Sequence, residues 1–170
     1  RIAARRRRRR DDPGMTKPRY GPADAFLAPR YTGVRTFARC PHVKDLTDVD
    51  VAVVGVPFDT GTSFRVGARF GPEAVRAGST LLRPYNPNLQ VDCFATQSVI
   101  DWGDVDTTPG DAPGSVAQIA AQLEAIVRAG VTPIVLGGDH TIALAELRAH
   151  AAVHGPVALV LLDAHCDTND

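Results

Sequence analysis

Short apolar runs of strand length alternate with helical patterns along this chain, and that order constrains the fold more than any other feature. Four runs are candidate strands: VAVVGV (51–56), SVIDWGD (98–104), TPIVL (132–136) and VALVLL (157–162). The second of them is the most polar. The other three are almost continuously apolar, which is typical of strands that helices cover on both faces.

Helical patterns separate these strands. Apolar residues fall on one helical face in the range 116–127, and Ser115 with Gln118 forms a capping box at its start. The range 141–152 is a second expected helix, and Pro72 suits the first turn of a third. The order strand, helix, strand, helix, strand predicts an α/β fold with a mostly parallel sheet.

Polar side chains follow two of the strands at the point where each strand ends. GGDH, which ends at His140, follows the third run, and DAHCD, with Asp163, His165 and Asp167 at alternate positions, follows the fourth. Alternate residues of an extended chain point to the same side. Since ligands of such sheets bind beyond the carboxyl ends of the strands, we expect these four side chains to converge there.

Imidazole and carboxylate ligands together suit manganese, zinc, iron or nickel. The four side chains are enough for one ion, and Asp163 could bridge two, which would then share a water and aim it at an electrophilic carbon. Asp139 could cap the following helix or orient a ligand. Cys166 is expected to be a small filler residue rather than a nucleophile.

The charge of the chain is unevenly distributed. The range 1–14 holds seven Arg and two Asp, which leaves 12 Lys and Arg against 17 Asp and Glu in the remainder. We expect residues 1–14 to be a disordered leader and residues 15–170 to be the domain, beginning with an irregular arm over 15–50. Three widely spaced cysteines favour a reducing cytoplasm over a disulfide framework. No apolar run reaches the ~20 residues of a membrane helix, so no membrane association is expected.

Four motifs carry a family resemblance: VGVPFDTGTSFRVGARFGPEAVR, DWGDV, VLGGDHTIALAELRA and LLDAHCDTND. In this order and spacing they resemble the ureohydrolases, and they are more similar to the agmatinase and guanidino-acid hydrolase branch than to arginases. The resemblance implies a three-layer α-β-α sandwich and a site with two Mn²⁺ ions.

The resemblance also implies a role for each site residue. It makes His140, Asp163, His165 and Asp167 metal ligands, with Asp163 bridging the ions and with Asp163 and Asp167 as catalytic residues. A metal-bridging hydroxide would attack the guanidinium carbon of agmatine or of a guanidino acid such as guanidinobutyrate. The products would be urea and an amine.

The resemblance covers only about the first half of a ureohydrolase. Family members supply two further ligands from a downstream D-x-D and a proton-shuttling His from a downstream HGTP. We therefore expect residues 15–170 to be the N-terminal part of the domain, incomplete in fold and inactive alone. The complete family proteins form trimers or hexamers.

Two other functions are kept as alternatives. A zinc deacetylase-type amidohydrolase would use a similar D-x-H ligand pattern and would release acetate instead of urea. A non-enzymatic nucleic-acid-binding protein would use the arginine-rich leader, but the acidic remainder of the chain makes nucleic acid an unlikely partner.

Overall fold

The computed structural model describes residues 18–165 and 167. Its strands and helices, in chain order, are β1 (Val51–Val56), α1 (Gly71–Ser79), β2 (Tyr85–Asn86), β3 (Val91–Asp92), β4 (Val99–Asp104), α2 (Ala112–Arg128), β5 (Thr132–Gly137) and α3 (Thr141–His154). Single 3-10 turns lie at Phe37–Arg39, Ala68–Phe70 and Cys93–Ala95. The arm that precedes β1 is otherwise irregular over its described part, as predicted.

The main sheet has the order β4-β1-β5, and both strand pairs are parallel. The first residue of β1, Val51, is in register with Val99 of β4 and with Thr132 of β5. Every residue of β1 is buried, because it is the central strand and both of its faces are covered. The strands β2 and β3 form a separate antiparallel pair.

The two faces of β1 belong to different layers of the core. Ala52, Val54 and Val56 pack into a cluster with the buried faces of α2 and α3. The alternate residues, Val51 and Val53, pack against the arm that precedes the strand. This alternation follows from the two-residue period of a strand. The predicted three-layer α/β fold with a mostly parallel sheet is confirmed.

The capping box predicted for α2 is wrong. The helix begins four residues earlier, and the side chain of Asp111 accepts the backbone N–H of Gly114 at 2.9 Å. Ser115 is instead fully buried and exchanges two hydrogen bonds with the backbone of Thr108. Both Asp and Ser are good capping residues, and the earlier of them holds the position here.

The strand predicted at 157–162 is also not observed. The segment is irregular and exposed, with Val160 at 85% and Leu162 at 95% exposure. An apolar run becomes a strand only when a neighbouring strand accepts its backbone hydrogen bonds. Within the described residues, β5 pairs with β1 alone, and the segment does not join its free edge.

A further prediction concerns the N-terminal end of the chain. The arginine-rich leader, residues 1–14, lies outside the described residues. The division into a leader and a domain therefore stays a prediction.

Among the helices of the described part, none is both long and apolar enough to cross a bilayer.

Candidate metal centre

Three of the four predicted ligands converge. Nδ1 of His140 lies 2.8 Å from Oδ2 of Asp167 and 3.3 Å from Oδ2 of Asp163. One donor atom from each of the three residues lies within 4.8 Å of the others. All three are accessible to solvent. One nitrogen and two carboxylate oxygens form a donor set that fits a borderline-hard divalent cation.

The fourth predicted ligand, His165, lies beside this group. Its Nδ1 is 3.7 Å from Oδ1 of Asp163, and its side chain is 83% exposed. Its backbone N–H donates to Oδ1 of Asp163 at 3.0 Å. His165 therefore contacts one predicted ligand, Asp163, but does not belong to the cluster that Asp163 forms with His140 and Asp167. The roles of all four residues as ligands, and of Asp163 and Asp167 in catalysis, stay predictions.

The charge of Asp163 is favoured by its surroundings. The backbone N–H of His165 is the largest influence that lowers the pKa of Asp163 below its ordinary value, and the backbone N–H of Ala164 and the imidazoles of His140 and His165 act in the same direction. Partial desolvation opposes them. The carboxylate is thus held in the ionised form that a cation requires.

The backbone that carries His140 is closely packed. A Cβ on Gly138 would lie 2.6 Å from the carbonyl oxygen of Val56, and one on Gly71 would lie 2.3 Å from that of Gly137. Gly138 also has a φ of +81°, which L-residues rarely adopt. Gly71 and Gly138 therefore let the end of β5 approach the backbone of β1 and the start of α1 closely before α3 begins.

One buried carboxylate near this region, that of Asp59, was not predicted from the sequence. Asp59, just after β1, is 1% exposed and accepts the N–H groups of Gly67 and Arg69 and the Nε–H of Arg69, the last at 2.6 Å. The hydrogen bond from the Arg69 side chain is the main cause that lowers the pKa of Asp59 to about 2. A single buried carboxylate has no local sequence pattern, because its partners lie ten residues away.

The remaining histidines lie apart from this cluster. His42 and His154 are exposed and His150 is half-buried, and none belongs to the cluster found among the described residues. Cys40 is buried, and desolvation raises the pKa of its thiol to about 12. Cys166 lies outside the described residues.

Comparison with known proteins agrees with this arrangement. A family model described as "Arginase family" matches residues 49–170, which is well over half of the chain. The chain belongs to the arginase family. It is 43% identical over 159 residues to the guanidinobutyrase of Pseudomonas aeruginosa, and the match covers 92% of the chain and 50% of that protein. It is 44% identical over 149 residues to the mitochondrial agmatinase of Gallus gallus, with 88% and 44% covered.

Solved structures of the family resemble the fold. The proclavaminate amidino hydrolase of Streptomyces clavuligerus matches with a TM-score of 0.77 at 40% identity, over 84% of this chain and 47% of that one. A formiminoglutamase of Trypanosoma cruzi, described with Mn²⁺, matches with a TM-score of 0.58 at 25% identity, over 66% and 38%. The chain spans about half the length of the curated relatives it matches.

Proposed function

We propose that this chain contributes the first part of a manganese-dependent ureohydrolase that converts a linear guanidino compound to urea and an amine. The observation that carries the proposal is the convergence of His140, Asp163 and Asp167 at the edge of an arginase-family sheet. Relatives named for guanidinobutyrate, agmatine and proclavaminate support a guanidino or amidino substrate.

The donor set supports manganese, and His165 would turn toward the cluster to complete the ligands this chain supplies. Ions held by these residues would supply an acidified water as the nucleophile. The side chains of His140, Asp163 and Asp167 fix where that chemistry occurs. Hydrolysis adds water to the guanidinium carbon and breaks one carbon–nitrogen bond, which releases the amine.

The assay that tests the proposal uses the complete protein, in which the downstream ligands that the resemblance implies are present, loaded with Mn²⁺. Guanidinobutyrate, agmatine, guanidinopropionate and arginine are offered separately, and urea is measured. We expect urea from at least one of the first three. Urea from none of the four would contradict the proposal, and acetate release from an acetylated amine would favour the deacetylase alternative instead.

The ligand assignment has its own test. His140→Ala, Asp163→Ala and Asp167→Ala should each weaken Mn²⁺ binding by at least about tenfold in equilibrium dialysis, because even the outer partners of metal ligands contribute that much. His154→Ala is the matched control, since it removes an exposed imidazole from the other end of α3. Cys166→Ser should retain activity. If His154→Ala weakened Mn²⁺ binding as much as His140→Ala, the assignment of the metal site to this cluster would be wrong.

The same proposal includes a trimeric or hexameric assembly and a cytoplasmic location. Inactivity of the 170-residue chain on its own also belongs to it, because the resemblance places further ligands downstream. Each of these stays a prediction. The nucleic-acid alternative depends on residues 1–14 and would show as salt-sensitive DNA binding that is lost when they are deleted.

A further inference from the structure

A loop and a helix start meet beside the candidate metal centre. The loop between β1 and α1, residues 57–70, is called here the β1–α1 loop. Its backbone contacts the GGDH segment at two places: the carbonyl of Phe58 accepts the N–H of Asp139 at 2.8 Å, and the carbonyl of Ala68 accepts the N–H of Gly138 at 3.3 Å. Both ends of the loop are thus attached to the backbone next to His140.

The side chain of Asp139 adds a third attachment. Its Oδ2 accepts the backbone N–H of Gly61 in the loop at 2.8 Å, and its Oδ1 accepts the backbone N–H of Thr141 in the first turn of α3 at 2.9 Å. One carboxylate therefore joins the loop to the helix start. Each oxygen serves a different element, so neither bond substitutes for the other.

The fit at Gly61 leaves no room for a side chain. A Cβ there would lie 2.4 Å from Oγ1 of Thr141 and 3.0 Å from Oδ2 of Asp139. Beyond this contact the loop is open to solvent: Phe64 is 76% and Val66 71% exposed, and Arg65 is exposed beside them. The loop is held at its base and free at its tip.

We propose that Asp139 is a positioning residue that clamps the β1–α1 loop to the start of α3 and so makes this loop a fixed wall of the substrate cleft beside His140. The proposal rests on the proposed function in taking the metal centre as the reaction site. Asp139 itself need not contact metal or substrate. Its effect reaches the reaction through the position of the loop.

The two oxygens predict different results for two substitutions. Asp139→Ala removes both hydrogen bonds. Asp139→Asn keeps one oxygen acceptor and turns the other into a donor that faces an N–H group, so only one of the two elements stays attached. The graded series Asp, Asn, Ala should therefore loosen the loop in that order.

The test compares these variants with Asp111→Asn in the protein as encoded. Asp111 also accepts a backbone N–H at a helix start, in α2, and lies outside the cluster. Trypsin cleavage after Arg65 is followed by mass spectrometry, and hydrogen exchange is followed in peptides that cover residues 57–70. We expect cleavage about tenfold faster in Asp139→Ala, the factor expected for one lost charge-assisted hydrogen bond, and an intermediate rate in Asp139→Asn.

Steady-state kinetics supply a second readout. The KM for the guanidino substrate should rise more than kcat falls, because the proposed wall would contact the substrate away from the carbon–nitrogen bond that breaks. Unchanged cleavage and exchange in both Asp139 variants would overturn the proposal, as would equal changes in Asp111→Asn. If Asp139→Ala does not fold, Asp139→Asn decides alone. If the loop is loosened in the Asp139 variants and the unsubstituted protein releases no urea, the clamp is supported and the proposed function is rejected.

Discussion

At the scale of single residues, the most consequential contact outside the candidate site is a buried ion pair. Arg76 of α1 donates two hydrogen bonds to Asp101 of β4, from Nε at 2.8 Å and from Nη2 at 3.0 Å. Arg76 is 8% and Asp101 1% exposed. A third bond reaches Asp104 at 2.6 Å. The pair ties α1 to the edge strand of the sheet.

Removing one partner of this pair should be costly. Arg76→Met would leave Asp101 buried and ionised without its partner, and breaking a buried pair in this way costs about 3–5 kcal/mol. The free energy of unfolding, measured by urea denaturation, checks this. Arg128→Ala is the matched control, because it removes an arginine from an exposed pair with Glu124 four residues away, where less than about 1 kcal/mol is expected. Equal losses in the two variants would contradict the role of burial.

Asp59 makes a prediction about acid stability. Its pKa in the folded chain is lowered to about 2, chiefly by the side chain of Arg69, from an ordinary value of 3.8. A depressed folded pKa contributes stability that is complete above the unfolded value and is lost as pH falls toward the folded one. The free energy of unfolding should therefore fall between about pH 4 and pH 2, and less steeply in Asp59→Asn. Asp106→Asn, which removes an exposed carboxylate, is the control.

Residue-scale contacts were the least predictable from the sequence. His140, Asp163 and Asp167 could be found because each lies at the end of a recognisable run. The partners of Asp59 and Asp101 could not be found, because a carboxylate carries no local sign of which distant N–H or guanidinium it will accept. For Asp139 the cap of the following helix was predicted and is observed at Thr141, whereas the bond to Gly61 was not predicted. His165 belongs to the same sequence pattern as Asp163 and Asp167, but that pattern does not fix the direction of its side chain.

At the scale of elements, local patterns predicted the three strands of the main sheet well and failed for the run that follows α3. β1 and β5 lie within one residue of their predicted bounds, and β4 begins one residue after the predicted start. These runs have neighbours that pair with them. The run 157–162 has the same apolar character and remains irregular. A hydrophobic pattern indicates that a segment tends to be buried. It does not indicate whether another strand will pair with that segment, because the pairing depends on the rest of the fold.

The start of α2 gives an element-scale prediction. Asp111→Ala removes the side-chain oxygen that accepts the N–H of Gly114, and loss of such a cap costs about 1 kcal/mol. Gln118→Ala should cost less than about 0.5 kcal/mol, because Gln118 is not the capping partner that the sequence pattern predicted and lies on the surface. Urea denaturation of both variants measures the difference. A larger loss for Gln118→Ala would favour the original capping box.

At the scale of the whole molecule, the distribution of apolar surface has a consequence for behaviour in solution. Leu159, Val160 and Leu162 are 58%, 85% and 95% exposed within one short segment. Exposed apolar side chains that follow one another in this way promote association. We expect the 170-residue chain to bind a hydrophobic dye and to self-associate as its concentration rises. Both effects should decrease in the double variant Val160→Lys and Leu162→Lys.

The control for this last prediction separates apolar contact from net charge. Ala151→Lys with Ala152→Lys adds the same two charges at exposed positions in the last turn of α3, outside the apolar run. If charge repulsion alone prevented association, the two double variants would behave alike in light scattering. If exposed Val160 and Leu162 drive association, only their substitution disperses the chain and reduces dye binding. Equal dispersal by both pairs would contradict the assignment of association to this segment.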